Sequence, residues 1–175
     1  MTTPRATAAR FPAEYGQTAE TTAALLEWEE VAERIAASRN YWLATTTDAG
    51  RPHLRPVDGV FVDVTLAFGG SPGTRWVHHL QARPDLSASL PDDEHAIILE
   101  GTAELVTDPD HAIASAVGSA NIEKYPQYYG TDAAPGFRPF WALRPRRVYA
   151  WSLTTFPNRA TRFDFDDANH DNGPG

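Results

Sequence analysis

The residues best suited to chemistry lie between Tyr41 and Leu80, where Arg55 and Arg75 flank the loop Gly69-Gly70-Ser71-Pro72-Gly73-Thr74. Glycines let a backbone come close to a ligand, and amides that open a helix favour negative charge. The loop and Arg75 therefore point to a phosphate. Arg55 sits inside a strand pattern, next to Pro56, where a solvated charge has no special reason to be. Its guanidinium offers the paired donors that a phosphate takes. The alternative for each arginine is a plain surface charge.

Other chemistries are poorly supported. Ser71 lies in the glycine-rich loop, but the G-x-S-x-G spacing of a nucleophile elbow is absent, and the chain has no cysteine. His78 and His79 are adjacent, so on a helix they point about 100° apart and cannot share a metal as an i, i+4 pair would. His53 and His95 stand alone and read as satisfied histidines. No metal site and no catalytic side chain is assigned.

These residues need elements to position them. Tyr41–Thr47, His53–Val62 and Val64–Phe68 read as strands, rich in β-branched and aromatic residues and punctuated by Asp48, Gly50 and Pro52. Arg75–Gln81 forms a short helix that Pro84 stops. Residues 85–90 and 95–106 are further strands, and Gly101 within the second marks a bulge or bend. Upstream, Leu25, Trp28, Val31, Ala32 and Ile35 recur at helical spacing while Glu27, Glu29, Glu30 and Glu33 take other positions. That is a structural helix from Leu25 to Ser38 with Trp28 in the core and its acids in solvent. Asp108 and Pro109 open another helix as N-cap and first residue, running to Lys124, whose charge balances the helix dipole. Residues 125–135 read as a loop, and 137–143, 147–153 and 161–165 as closing strands. Residues 1–20 read as a flexible arm, 21–165 as one domain and 166–175 as a disordered tail.

The sum is a mainly β chain with flanking helices, which suits a small closed barrel. At 175 residues and 42% hydrophobic composition it can bury its own core. A net charge of −8 argues against nucleic acid, and no apolar run approaches the ~20 residues that cross a membrane. The expectation is a cytoplasmic protein. Lys124 is the one lysine among 15 basic residues, a bias that fits a GC-rich, actinobacterial genome.

The strings WLATT, GRPHLRPV, FGGSPGTRW and EGTAELV, in this order, together with the later LRPRRVYAW and ATRFDF, carry a resemblance. The sequence resembles the split-barrel flavin and deazaflavin binding proteins related to pyridoxamine 5'-phosphate oxidase. The resemblance implies a six-stranded antiparallel split β-barrel of Greek-key type, and a homodimer with the cofactor in a groove between protomers. The surplus of aromatics, among them Tyr125, Tyr128, Trp141 and Trp151, agrees with such an interface. It also implies that Arg55, Thr74 and Arg75 hold the cofactor tail, that the backbone of Pro56, Val57 and Asp58 lines the ring beside Gly69 and Gly70, and that Trp76 stacks or packs there. Trp151 and Arg162 would reach the cofactor from the second subunit.

Trp76 stands where the pyridoxamine phosphate oxidases carry a lysine. The histidine of their C-terminal arginine–histidine pair has no counterpart in Arg159-Ala160-Thr161-Arg162. A vitamin B6 oxidase is therefore not expected. The sequence looks closer to the branch that uses the deazaflavin coenzyme F-420, in which a lysine–tyrosine pair, here Lys124 and Tyr125, follows. That implies hydride transfer from reduced F-420 to an unsaturated small molecule, with Arg51, Arg55, Arg75 and Lys124 along the anionic tail. An FMN-dependent oxidase or reductase and a non-catalytic cofactor-binding protein are the alternatives, and haem binding, known in relatives, is a more remote one.

Overall fold

Alternation along the second strand sets the frame: Tyr41, Leu43 and Thr45 are buried while Trp42, Ala44 and Thr46 are exposed. In the computed structural model, which describes residues 3–129 and 136–165, this is one of eight strands. They are β1 (Arg5–Ala8), β2 (Asn40–Thr46), β3 (Pro52–Val62), β4 (Thr65–Phe68), β5 (Asp85–Ser89), β6 (His95–Val106), β7 (Phe140–Ser152) and β8 (Thr161–Asp164). The helices are α1 (Trp28–Ala37), α2 (Arg75–Ala82), α3 (Ala114–Lys124) and α4 (Pro126–Tyr129).

Strands β7-β4-β3-β2-β5-β6 form an antiparallel run, and the long β6–β7 pairing closes it into a six-stranded barrel. The meander β2-β3-β4 followed by β5 returning beside β2 is a Greek key. Closure pairs the two end strands of this run, β6 and β7, with each other, so neither is left as a free edge. The expected split-barrel architecture is what the chain adopts. The register shifts between Glu100 and Gly101, opposite Pro145. A Cβ on Gly101 would run into the Arg144 carbonyl, so only glycine permits the corner.

Inside the barrel, Trp28, Val31 and Ile35 of α1 pack on Tyr41, Leu43, Phe163 and Phe165. The Trp28 ring meets Phe163 and Phe165 edge-on at 5.3 and 5.2 Å, which makes it core, as its helical spacing predicts. A second cluster lies where Ala114, Val117 and Tyr125 cover Val60, Ala67, Phe140 and Ala142. That cluster fixes α3 against the barrel. No helix among the described residues is long and apolar enough to cross a membrane.

Several boundaries differ from expectation. Residues 5–8, read as part of a flexible arm, form β1 and pair with β8, whose outer edge is otherwise open. Gln17 ties the chain beyond them, donating to the Ala9 carbonyl at 2.7 Å and accepting from the Phe11 amide at 3.0 Å. Asp108 does not cap a helix. Its carboxylate accepts from the Asp110 amide at 2.9 Å in a turn, and α3 starts at Ala114. The strands expected at 137–143 and 147–153 are one strand, β7, because Pro145 sits at the register shift, where a missing N–H costs no ladder bond. The loop expected from Tyr125 contains α4, its residues 130–135 lie outside the described residues, and so does the tail 166–175.

Candidate functional site

The site begins with an unequal strand. β3 pairs with β2 along Pro52–Asp58 and with β4 only along Gly59–Val62, so the second edge of residues 52–58 meets no strand among the described residues. Beyond β4 the chain turns through Gly69 and Gly70 into α2 rather than continuing the ladder. A cleft of about 890 Å³ opens there. Pro56, Val57, Asp58, Gly69, Gly70 and Trp76 line one wall. Small and aromatic residues of α3, α4 and the segment before β7 line the other, including Ser115, Gly118, Asn121, Tyr125, Tyr128 and Phe140.

Trp76 is both a core residue and a border of the cleft. It is 6% exposed, packs on Phe68 at 5.6 Å between centroids, and still forms part of the cleft. A Cβ on Gly70 would overlap the Trp76 ring, so the glycine is what lets the loop lie flat on the indole. Thr74 is placed next to this wall but does not line the cleft; its hydroxyl donates to the Ser71 carbonyl at 2.8 Å and braces the loop.

Arg55 and Arg75 each stand one residue outside the lining residues Pro56 and Trp76. Arginine ion pairs among the described residues belong to Arg34, Arg144, Arg146, Arg147 and Arg162, and Arg55 and Arg75 are not among them. Both act electrostatically on His53. Burial foremost, then His79, Arg55 and Arg75, hold the His53 imidazole below its ordinary pKa. His79 lies 5.1 Å from His53, edge to face, with its Nδ1 3.0 Å from the Thr45 hydroxyl. The sequence reading missed this cluster by treating His53 as solitary. The cluster depends on the β2–β3 register, which sets Thr45 opposite His53 and which local sequence does not carry. As expected, His78 and His79 diverge, the first exposed and the second buried.

Lys124 is not a residue of the cleft. Its Nζ donates to the Gly59 and Ala36 carbonyls at 2.9 and 3.0 Å and to the Tyr41 hydroxyl at 3.1 Å, which occupies all three ammonium protons. It thereby ties α3 to β3, β2 and the last turn of α1. Burial, reinforced by Arg39 and opposed by Asp58, lowers its pKa to about 8. Tyr125, which does line the cleft, accepts from the Gly59 amide at 2.9 Å and donates to the Arg39 carbonyl at 2.6 Å. Burial pushes its phenol pKa up.

Trp151 and Arg162 also stand apart from this cleft within the chain. Trp151 faces Phe11 edge-on at 5.8 Å, and Arg162 is bound to Asp164 at 2.7 and 2.9 Å. The residues that sequence reasoning did not single out for the cleft are those of α3 and residues 136–140, whose helical periodicity announces only that a helix exists.

A protein-family model described as pyridoxamine 5'-phosphate oxidase matches residues 28–152. No curated protein sequence matches the chain. Among solved structures, a heme binding protein from Mycobacterium smegmatis is similar at 24% identity and a TM-score of 0.60, covering 83% of this chain and 60% of its own. A FAD-binding protein from Mesorhizobium loti is similar at 18% identity and 0.56, over 80% and 96%. A protein named as an F420 reductase is similar at 19% and 0.50, over 66% and 94%. At these identities the likeness is one of fold.

Proposed function

The chain belongs to the pyridoxamine 5'-phosphate oxidase family, and we propose that it binds coenzyme F-420 in the cleft beside β3 and acts as an F-420-dependent oxidoreductase. The observation that carries this reading is the junction of two features: a cleft walled by the unpaired edge of residues 56–58, and the Arg55–Arg75 pair just outside it. A volume of about 890 Å³ falls within the range of about 300–1,000 Å³ usual for small-molecule sites. The strand edge presents backbone donors and acceptors to the rim of a flat ring, Trp76 and Gly70 support it, and the arginines take its anionic tail. When bound, the deazaflavin ring itself supplies hydride to an unsaturated small molecule. The chain's part is to hold the ring and leave one face open towards α3 and α4.

FMN is the second reading, because a terminal phosphate on the same two arginines uses the same wall. Among the described residues no histidine lines the cleft; the residues that do include aromatic rings, the hydroxyl-bearing Ser115 and three tyrosines, Asn121, Asp58 and Arg138. Those suit a flat organic ring better than a histidine-held iron. The third reading, a carrier that binds the cofactor without turning it over, differs only in activity.

Titration of the apoprotein with oxidised F-420 and, separately, with FMN, read by ring fluorescence or calorimetry, decides among these. Tight F-420 with weak FMN supports the proposal, and reduction of a substrate panel by the loaded protein then separates enzyme from carrier. Tight FMN moves the chain to the flavoprotein reading. Binding of neither overturns both.

A further inference from the structure

The His53–His79 cluster is not used by the cleft's ring-holding wall, yet it faces the two arginines of the tail site. Thr45, His53, Leu43 and Arg55 lie on one face of the β2–β3 pair, since Thr45 is opposite His53 and Leu43 opposite Arg55 in the register. α2 lies over that face and brings His79 and Arg75 to it. The Nδ1 of His79 is engaged by the Thr45 hydroxyl, whereas the Nδ1 of His53 is buried with no hydrogen-bond partner among the described residues. Three positively charged or chargeable groups therefore surround one imidazole that has no compensating acid.

From this arrangement we propose that His53 is the proton-accepting member of an anion subsite with Arg55 and Arg75, so that a phosphate-like group binds there with uptake of one proton from solvent. The inference rests on the reading of Arg55 and Arg75 as the anchor of the cofactor tail. In the free protein, burial first and then His79, Arg55 and Arg75 lower the His53 pKa and so disfavour its imidazolium form. An anion seated between the guanidiniums cancels that repulsion and favours the imidazolium, which then adds a charged donor to the site. The groups facing His53 are His79 and Arg75 from α2, Arg55 from its own strand, and Thr45 from β2. No carboxylate figures among the charges that act on it. The sign follows: affinity rises as pH falls between the His53 pKa with anion and the lower one without it.

Inorganic sulfate is the probe, because it remains a dianion throughout this range and any proton taken up belongs to the protein. The imidazole proton resonances of the full chain are followed between about pH 4 and 8, where imidazoles titrate, in sulfate and in chloride at equal ionic strength. The His53 signal is assigned by its loss in His53→Gln. The expected result is a rise of the His53 midpoint in sulfate, smaller or absent in Arg75→Gln, and a sulfate affinity that grows up to about tenfold per unit of falling pH. His53→Gln should bind sulfate with a flatter pH dependence, while His79→Gln keeps the steep one. Sulfate that leaves the His53 midpoint unmoved, or a steep dependence that survives in His53→Gln, overturns the proposal. If sulfate affinity is the same in Arg75→Gln as in the unaltered chain, the anchor itself is misplaced and the proposal falls with it. Cofactor that binds tightly while sulfate leaves His53 unmoved sinks the proton linkage and spares the cofactor reading.

Discussion

Arg75 is exposed and stands outside the arginine ion pairs of the described residues, so its removal tests the site without disturbing the fold. Arg75→Ala should weaken cofactor binding by about 1.5–3 kcal/mol, the worth of a charged hydrogen bond, or roughly ten- to a hundredfold. The thermal midpoint should not move. Equal affinity in a fluorescence titration would return Arg75 to the role of a surface charge. The glycine loop and the helix that Arg75 opens were legible because they depend on consecutive residues: Gly70 must lie against Trp76, and α2 begins at Arg75. Lys124 was read correctly as the basic end of its helix, but its three partners were not legible, for the opposite reason. Its position at the end of a helix says nothing of Ala36, Gly59 and Tyr41, which reach it from three other elements.

At the scale of elements, the cleft's second wall is α3, and Lys124 is the latch that holds the end of α3 on the barrel. The latch has a defined pH signature. A lysine whose folded pKa is lowered to about 8 contributes stability that is full above its unfolded value and is lost as pH falls towards 8. Tyr41 and Tyr125 are raised, chiefly by burial, so their contribution is full below the ordinary phenol value and fades above it. Denaturant unfolding of the unaltered chain should therefore gain stability between about pH 8 and 10, the window between the lowered lysine and the ordinary phenol. Lys124→Met should lose that gain. A parallel pH dependence in the two proteins would show that the ammonium is not held as the structure has it. Helix existence was readable here from periodicity; the start of α3 was not, because an Asp-Pro pair serves a turn as well as a cap.

For the molecule as a whole, the outer face of β2 and β3 carries Trp42 at 38% and Leu54 at 57% exposure, with Ala44 and Pro56 between and beside them. Pro56 also lines the cleft, so this apolar face runs into it. We infer a homodimer that covers it, with the partner's edge completing the groove. Trp151 and Arg162, which stand apart from the cleft within one chain, are the candidates to act across such an interface. Sedimentation should give twice the 19.2 kDa chain mass, and Leu54→Glu should give the monomer with weakened cofactor binding. A monomeric unaltered protein, or a monomeric variant with full affinity, would count against this assembly.

What the sequence determined by itself is the strands β2 to β6, the corner at Gly101, the core role of Trp28 and the start of α2 at Arg75 after the glycine loop. Each of these depends on alternation, helical spacing or the allowed geometry of one or a few neighbouring residues. Only the tertiary structure decided that β7 is continuous through Pro145, that residues 5–8 close the edge of β8, that α3 walls the cleft, and that His53 meets His79 between two arginines. Those outcomes rest on which strand lies beside which and in what register. A shift of one residue would turn Thr45, His53 and Arg55 to the other face, and register is settled by barrel closure and long-range packing, not by adjacent side chains.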